Sequence, residues 1–273
     1  MPEGPEIRIA ADRIARVLAG ERIEEIVLAP PPLQRFKPLL QGQIVTRVDT
    51  HGKAMLTRFD NGLTMYSHNQ LYGRWYVCAR GEVPDTGRAL RIALHTASHS
   101  ALLYSATDID VLDAGQLSTH PFLCRLGPDI LDASLHWQAL AARLQLTRFR
   151  GRSLASLYLD QGFVAGIGNY LRSEILHFAK LHHSRRPKDL DGAQCQRLAK
   201  QTLLIARRSY SDHGVTNTAA RVRQRKAAGD TRRAAFRFAV FARDGEPCDA
   251  CGAEIERADA GSRRIYYCPK CQP

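Results

Sequence analysis

Apolar residues recur at helical spacing over residues 5–19, where Ile7, Ala11, Ile14 and Leu18 share one face and Gly20 supplies a C-cap. The pattern then shortens. In "KAMLTRFDNGLTMYSH" two β-rich runs flank Asp60-Asn61-Gly62, a strong hairpin signal. Further strands are predicted at "RWYVCA", "ALRIALHT" and "SALLYSA". The first ~130 residues therefore read as β-rich with antiparallel connections. Beyond "HPFLCRLGPDILD" the period lengthens again. "SLHWQALAARLQL", "SLASLYLDQ", "YLRSEILHFAKL" and "GAQCQRLAKQTLLIARRSY" read as helices. The stretch 211–233 is basic, poor in large apolar residues and without clear period, and is predicted to be a mobile loop that orders on phosphate. The tail 236–273 is short and cysteine-paired, and the chain has no internal repeat.

Charge sharpens this division. Residues 1–130 hold 14 basic and 14 acidic side chains, residues 131–200 hold 11 and 5, and residues 201–273 hold 14 and 8. The net charge of +12 thus resides in the second half. An arginine-rich surplus suits a polyanion, most simply nucleic acid, better than a merely solubilising surface. The 273 residues suit two domains. No apolar run approaches the roughly 20 residues that span a bilayer. The start lacks a basic n-region and an apolar h-region, so a cytoplasmic location is expected.

Four of the seven cysteines are paired. Cys248 and Cys251 form one C-x2-C knuckle, Cys268 and Cys271 another, and 16 residues lie between. Two such knuckles can place four thiolates around one tetrahedral Zn2+, a structural site with no position left for water. The intervening residues have room for a β-hairpin, with Arg263 and Arg264 near its far side and within reach of a phosphate. Cys78, Cys124 and Cys195 are expected to be inert core residues.

Two further stretches admit two readings each. "MPEGPE" opens a helix, where proline and carboxylates are at home. Loss of Met1 would also expose the secondary amine of Pro2, a nucleophile less basic than lysine and able to form an iminium ion. "GFVAGIGNYL" sets Gly166, Gly168 and Asn169 ahead of a helix, either as a packing corner or as a turn that offers free N–H groups to a phosphate.

The order "MPEGPE", "HGKAMLT", "GIGNYL" and four paired cysteines resembles the formamidopyrimidine-DNA glycosylase / endonuclease VIII family along essentially the whole chain. "YSHNQLYG", "LLYSATDI" and "THPFLCRLGPD" resemble its endonuclease VIII branch. The resemblance implies an α+β chain. Residues 1–130 would form a β-sandwich with a leading helix, 131–235 a helix–two-turns–helix domain carrying the basic loop, and 236–273 a zinc finger. DNA would lie in a cleft between the domains, and the protein would act as a monomer.

The resemblance also implies roles. Pro2 would attack C1′ of a flipped-out nucleotide carrying an oxidised base, and Glu3 would move protons. Lys53 would contact phosphate and assist elimination, and Arg263 would grip phosphate in the second elimination, with Arg264 as the neighbouring alternative. Asn169 would complete a phosphate clamp. Gln70, Leu71 and Tyr72 would fill the hole in the duplex, Arg125 would add a DNA contact, and Glu6 would help order the site. The product would be a one-nucleotide gap with phosphate at both ends. The basic stretch at 211–233 departs from the branch in length and arginine content. A purine-directed glycosylase and a non-catalytic binder of damaged DNA are the competing readings.

Overall fold

The computed structural model describes residues 2–261 and 263–273; Met1, whose removal the sequence reading expects, lies outside the described residues, as does Ser262. Two compact units emerge, one of Pro2 with Glu6–Arg125, the other of Glu3–Pro5 with Leu126–Pro273.

The first unit holds helix α1 (Gly4–Leu18, its first two residues counted with the second unit) and eight strands. These are β1 (Glu25–Leu28), β2 (Val45–His51), β3 (Ala54–Phe59), β4 (Thr64–His68), β5 (Arg74–Ala79), β6 (Leu90–His95), β7 (His99–Tyr104) and β8 (Asp108–Leu112). They form two four-stranded antiparallel sheets, ordered β1-β6-β7-β5 and β2-β3-β4-β8. The predicted hairpin is β3–β4: Phe59 N–H donates to Leu63 O at 2.9 Å, and Asn61 Oδ1 accepts the Leu63 N–H at 3.1 Å. One core joins both sheets. Met55, Phe59 and Met65 meet Ile92, Leu94 and Leu103, and α1 adds Ile7, Ala11, Ile14 and Leu18, the stripe its period predicts. The β-sandwich with a leading helix is thus present.

The second unit is helical. Its longer helices are α2 (Trp137–Leu144), α3 (Asn169–Ala179), α4 (Gly192–Ser211) and α5 (Ala219–Ala227), and the hairpin β9 (Glu256–Ala260)–β10 (Arg263–Tyr267) follows. Helix α3 is its spine. It is buried on all sides, so its apolar residues Leu171, Ile175 and Leu176 enter the core while Arg172, Ser173 and Glu174 are buried with them. A buried polar group is costly without partners, and each of these three finds one. Arg172 donates to Ala155 O, Ser173 to Asn169 O, and Glu174 accepts from Thr216 and from Ala239, Val240 and Phe241. Along β10, alternation sends Ile265 into the helical core and Tyr266 into a small core around Cys248 and Cys268.

One expectation fails here. The stretch 211–233 was predicted to be a loop, yet it contains α5, capped by Thr218 Oγ1 on Arg221 N–H. None of its residues is buried, so no apolar face could mark it in the sequence. No helix among the described residues is long and apolar enough to cross a membrane.

Candidate active site

Within the second unit, Glu3 organises a cluster of its own. Its side chain is 3 % exposed. Oε2 accepts the N–H groups of Gly168 at 2.6 Å and Leu171 at 3.3 Å, and Oε1 accepts that of Tyr170 at 2.8 Å. These are the unpaired amides of the first turn of α3, where the helix dipole favours negative charge. The turn expected to offer free N–H groups to a phosphate therefore holds an internal carboxylate. Gly168 is indispensable to this: a Cβ there would lie 2.4 Å from Glu3 Cδ. Gly4 N–H donates to Gly166 O at 2.8 Å, which fixes the backbone beside Glu3. Gln161 braces the turn from within, accepting from Gly166 N–H at 3.0 Å and donating to Ile167 O at 2.8 Å. Pro2 is half-buried and directly precedes the anchored glutamate.

Asn169 is the first residue of α3. Arg172, one turn on, donates Nη2 to Asn169 Oδ1 at 2.7 Å and to Arg264 O at 3.0 Å. The amide of Asn169 is thereby oriented with its Nδ2 as the group that remains to donate. Burial first, and the charge of Arg263 second, bring the Arg172 guanidinium down to about 10 against the opposing pull of Glu3. Arg263 shares the strand face of Ile265, which packs on the helices, whereas Arg264 lies on the Tyr266 face. Asn169 and the backbone of β10 are thus joined through Arg172, which the sequence pattern alone does not single out.

In the first unit, Lys53 sits in the turn between β2 and β3 and is 8 % exposed, not the surface lysine its surroundings in the sequence suggest. Ala54 pairs with His68 across the β3–β4 ladder, and His68 titrates below its ordinary value, chiefly through burial, with Lys53 lowering it and Asp108 raising it. His68 Nδ1 accepts the Gln70 N–H at 3.1 Å, so Lys53 and the Gln70–Tyr72 loop share one end of the sheet. Gln70 has φ of 48°, Gly73 N–H closes the loop on Asn69 O at 2.7 Å, and a Cβ at Gly73 would lie 2.7 Å from the Asn69 backbone. Thr107 donates to Gln70 Oε1, and Arg88 to Tyr72 O. The backbone is held while Leu71 and Tyr72 stand 53 % and 70 % exposed, the combination a wedge requires. Arg125 ends the short helix Leu123–Arg125 and donates to Pro121 O at 2.6 Å; Phe122, beside it, meets the His68 ring at 5.2 Å. Glu6 lies in the first turn of α1, facing the positive helix end.

The sulfurs of Cys248, Cys251, Cys268 and Cys271 all lie within 4.8 Å of one another, with Cys251 and Cys268 3.4 Å apart and Cys248 and Cys271 3.9 Å apart. Four thiolates about 2.3 Å from one zinc ion would be spaced by about 3.8 Å, so the donor set fits a structural Zn2+. Gln272 ties this knuckle to the helices, accepting from Cys268 N–H and donating to Leu181 O.

Three family models match the chain. The formamidopyrimidine-DNA glycosylase N-terminal domain covers residues 1–108, the formamidopyrimidine-DNA glycosylase H2TH domain residues 126–219, and the zinc finger found in FPG and IleRS residues 245–273. Curated relatives named Endonuclease 8, from Salmonella arizonae and Salmonella schwarzengrund, are each 50 % identical over 272 residues and matched over 100 % of both chains. Among solved structures, Lactococcus lactis Fpg bound to N7-benzyl-Fapy-dG DNA superposes with a TM-score of 0.81 at 20 % identity, covering 99 % of each chain. The same protein bound to DNA containing an oxidized pyrimidine gives 0.81 at 19 %, again over 99 % of each.

Proposed function

Since the chain belongs to the formamidopyrimidine-DNA glycosylase / endonuclease VIII family, we propose that it removes oxidised pyrimidines from duplex DNA and cuts the strand through Pro2. The protein is a DNA glycosylase with AP lyase activity, acting in base excision repair. The observation that carries the finer reading is Glu3: a carboxylate locked by three helix amides, one residue from the only amine its neighbour can offer.

The damaged nucleotide leaves the stack, and the Leu71–Tyr72 pair fills its place. With Met1 removed, the Pro2 nitrogen attacks C1′ and the N-glycosidic bond breaks, its electrons leaving with the base. Glu3 transfers a proton as the sugar ring opens and the iminium forms. The iminium acidifies C2′–H; its loss expels the 3′ phosphate, and a second elimination expels the 5′ phosphate. Water then hydrolyses the iminium and returns the amine. Lys53 contacts phosphate and assists the eliminations; Asn169 and Arg263 hold phosphate, with Arg264 the neighbouring alternative. Arg125 adds a contact to the strand. Zinc, held by its four cysteines, shapes the finger and takes no part in bond making. The enzyme acts as a monomer in the cytoplasm, on chromosomal DNA. The pyrimidine preference is supported by the 50 % identity to proteins named Endonuclease 8 and by the "NQLYG" loop.

Borohydride trapping tests this. Duplexes carrying an abasic site, an oxidised pyrimidine or 8-oxoguanine are incubated with enzyme whose N-terminus is free or blocked. Covalent adducts strongest on the first two, and lost on blocking, are expected. Dominant trapping on 8-oxoguanine would assign the protein to the purine-directed branch, and binding without adducts would sink the Pro2 mechanism.

A further inference from the structure

Residues 218–235 leave the helical domain and return to it as one arm. Its ends are pinned together, because Thr216 N–H donates to Arg237 O at 3.0 Å and Asn217 Nδ2 donates to Phe236 O at 3.1 Å and Phe238 O at 2.9 Å. Between those ends the arm carries six cations, Arg221, Arg223, Arg225, Lys226, Arg232 and Arg233, against one acid, Asp230. It buries little, so packing does not explain why it is helical or where it sits.

A carboxylate in the zinc knuckle does. Asp249 lies between Cys248 and Cys251. Its Oδ1 meets Arg225 Nη2 at 2.6 Å and Arg221 Nη2 at 2.9 Å. From below, Arg243 holds it with both nitrogens, Nη1 to Oδ2 at 2.9 Å and Nη2 to Oδ1 at 3.2 Å. Arg243 is itself locked, donating to Ala239 O, Pro247 O and Glu246 Oε2. One carboxylate therefore gathers three guanidinium groups in a largely buried setting, where charge-assisted bonds are strong and their loss leaves like charges facing one another. Arg221 and Arg225 are one helical turn apart, on one face of α5. Arg223 falls on the opposite face and is exposed, as are Arg232 and Arg233 further along.

We infer that Asp249 is a positioning residue: it docks the basic arm on the zinc knuckle and so presents the outward cations, Arg223, Arg232 and Arg233, to DNA phosphate. This rests on the DNA glycosylase reading for the identity of the polyanion. The arrangement uses two arginines to dock and leaves the others to bind, and it makes the arm's order depend on a loop that zinc shapes.

The test compares wild type with Asp249→Asn by hydrogen exchange over 219–233 and by the salt dependence of binding to undamaged duplex. Loss of the charge should raise exchange across the arm by about tenfold or more and make the slope of log K against log salt shallower by about one to two. Asp249→Glu should restore part of both. Since Asp249→Asn could disturb the knuckle, Arg221→Gln/Arg225→Gln is the second variant. It leaves Asp249, Arg243 and the cysteines intact and should release the arm with zinc still bound. An arm as protected in both variants as in wild type, or an unchanged salt slope in Asp249→Asn with zinc bound, would overturn the inference. Borohydride trapping of wild type on abasic duplex is run alongside. Failure there defeats the glycosylase reading and leaves the docking result to stand or fall on exchange alone.

Discussion

Glu3 and Glu174 are both buried carboxylates that accept three backbone N–H groups apiece, yet their surroundings differ in what the charge is for. Glu174 projects from the middle of α3 and gathers the amides of Ala239, Val240 and Phe241, with the Thr216 hydroxyl at 2.6 Å as a fourth donor. Those donors belong to a connecting segment that has no regular structure to order it, so the glutamate supplies the order. Glu3 reverses the arrangement. The donors are the first amides of α3, already set by the helix, and what they order is the chain end carrying Pro2. The same chemistry serves as a structural anchor in one place and, in the proposed mechanism, as the mount for the Pro2 nucleophile in the other. Burial and hydrogen bonding are alike at the two sites; what differs is the covalent neighbour, which for Glu3 is Pro2.

Exchanging each carboxylate for its amide should separate the two. Glu3→Gln is expected to lower base excision at least about a hundredfold, the range lost with a positioned proton-transfer group. Its cost in stability is smaller, about 1–3 kcal/mol for amides left without a charged acceptor. Single-turnover excision and thermal melting on the same preparation check both halves. Glu174→Gln should show the opposite split. Leaving three amides and a hydroxyl without a charged acceptor costs about 1–3 kcal/mol here too, read as a fall in Tm of roughly 2–4 °C per kcal/mol for a unit of this size. Excision per folded molecule should stay within about tenfold of wild type. If Glu174→Gln abolished excision while melting normally, the division between anchor and mount would collapse.

Gly168→Ala approaches the comparison from the donor side. With a Cβ 2.4 Å from Glu3 Cδ, the carboxylate must leave its amides, although every reacting group remains in the chain. The expected loss of excision approaches that of Glu3→Gln. Wild-type rates in Gly168→Ala would show that the cradle is dispensable.

These paired cradles also show how far the sequence could be read. The β-rich half, the helical half and the zinc knuckles follow from patterns local to each segment: period two, period 3.6, and C-x2-C; the sandwich itself comes from the family resemblance. The Glu3 cradle joins residues 165 and more positions apart, and no local pattern reports that the helix amides are filled by the chain's own carboxylate. The helix at 219–227 was hidden for a related reason: its support is charge pairing with Asp249, not an apolar stripe. Arg172 and Glu174 were visible as letters in "GNYLRSEIL", but their roles depend on partners in β10 and in residues 239–241. Leu71 and Tyr72 are apolar letters whose 53 % and 70 % exposure no local pattern reports.

A smaller effect tests whether the cradle's chemistry depends on the exposed loop. Replacing Leu71 and Tyr72 by alanine touches neither glutamate. Excision from duplex should fall about tenfold, reflecting a lost wedge worth a few kcal/mol at most, while trapping on a single-stranded abasic oligonucleotide should hold. An equal loss on single strands would mean the pair supports the site itself.

The smallest effect concerns the charge behind Arg172. His183 meets Tyr267 edge to face with ring centres 5.0 Å apart, and burial, His182 and Arg172 together push it down to about 4. An unfolded histidine titrates near 6.5. Between those values the unfolded chain binds the proton that the folded chain refuses, so stability rises with pH across this window and is lost as pH falls from about 6.5 towards 4. His183 is only half-buried, so solvent screening keeps the effect to about 1 kcal/mol or less. His183→Gln should therefore flatten the fall in Tm between pH 7 and pH 5 without altering Tm at pH 8. Because that histidine faces the arginine that orients Asn169, the same substitution should leave excision at pH 7.5 unchanged. A change in excision there would show that the imidazole, and not only its neutral charge, helps hold Arg172 against Asn169.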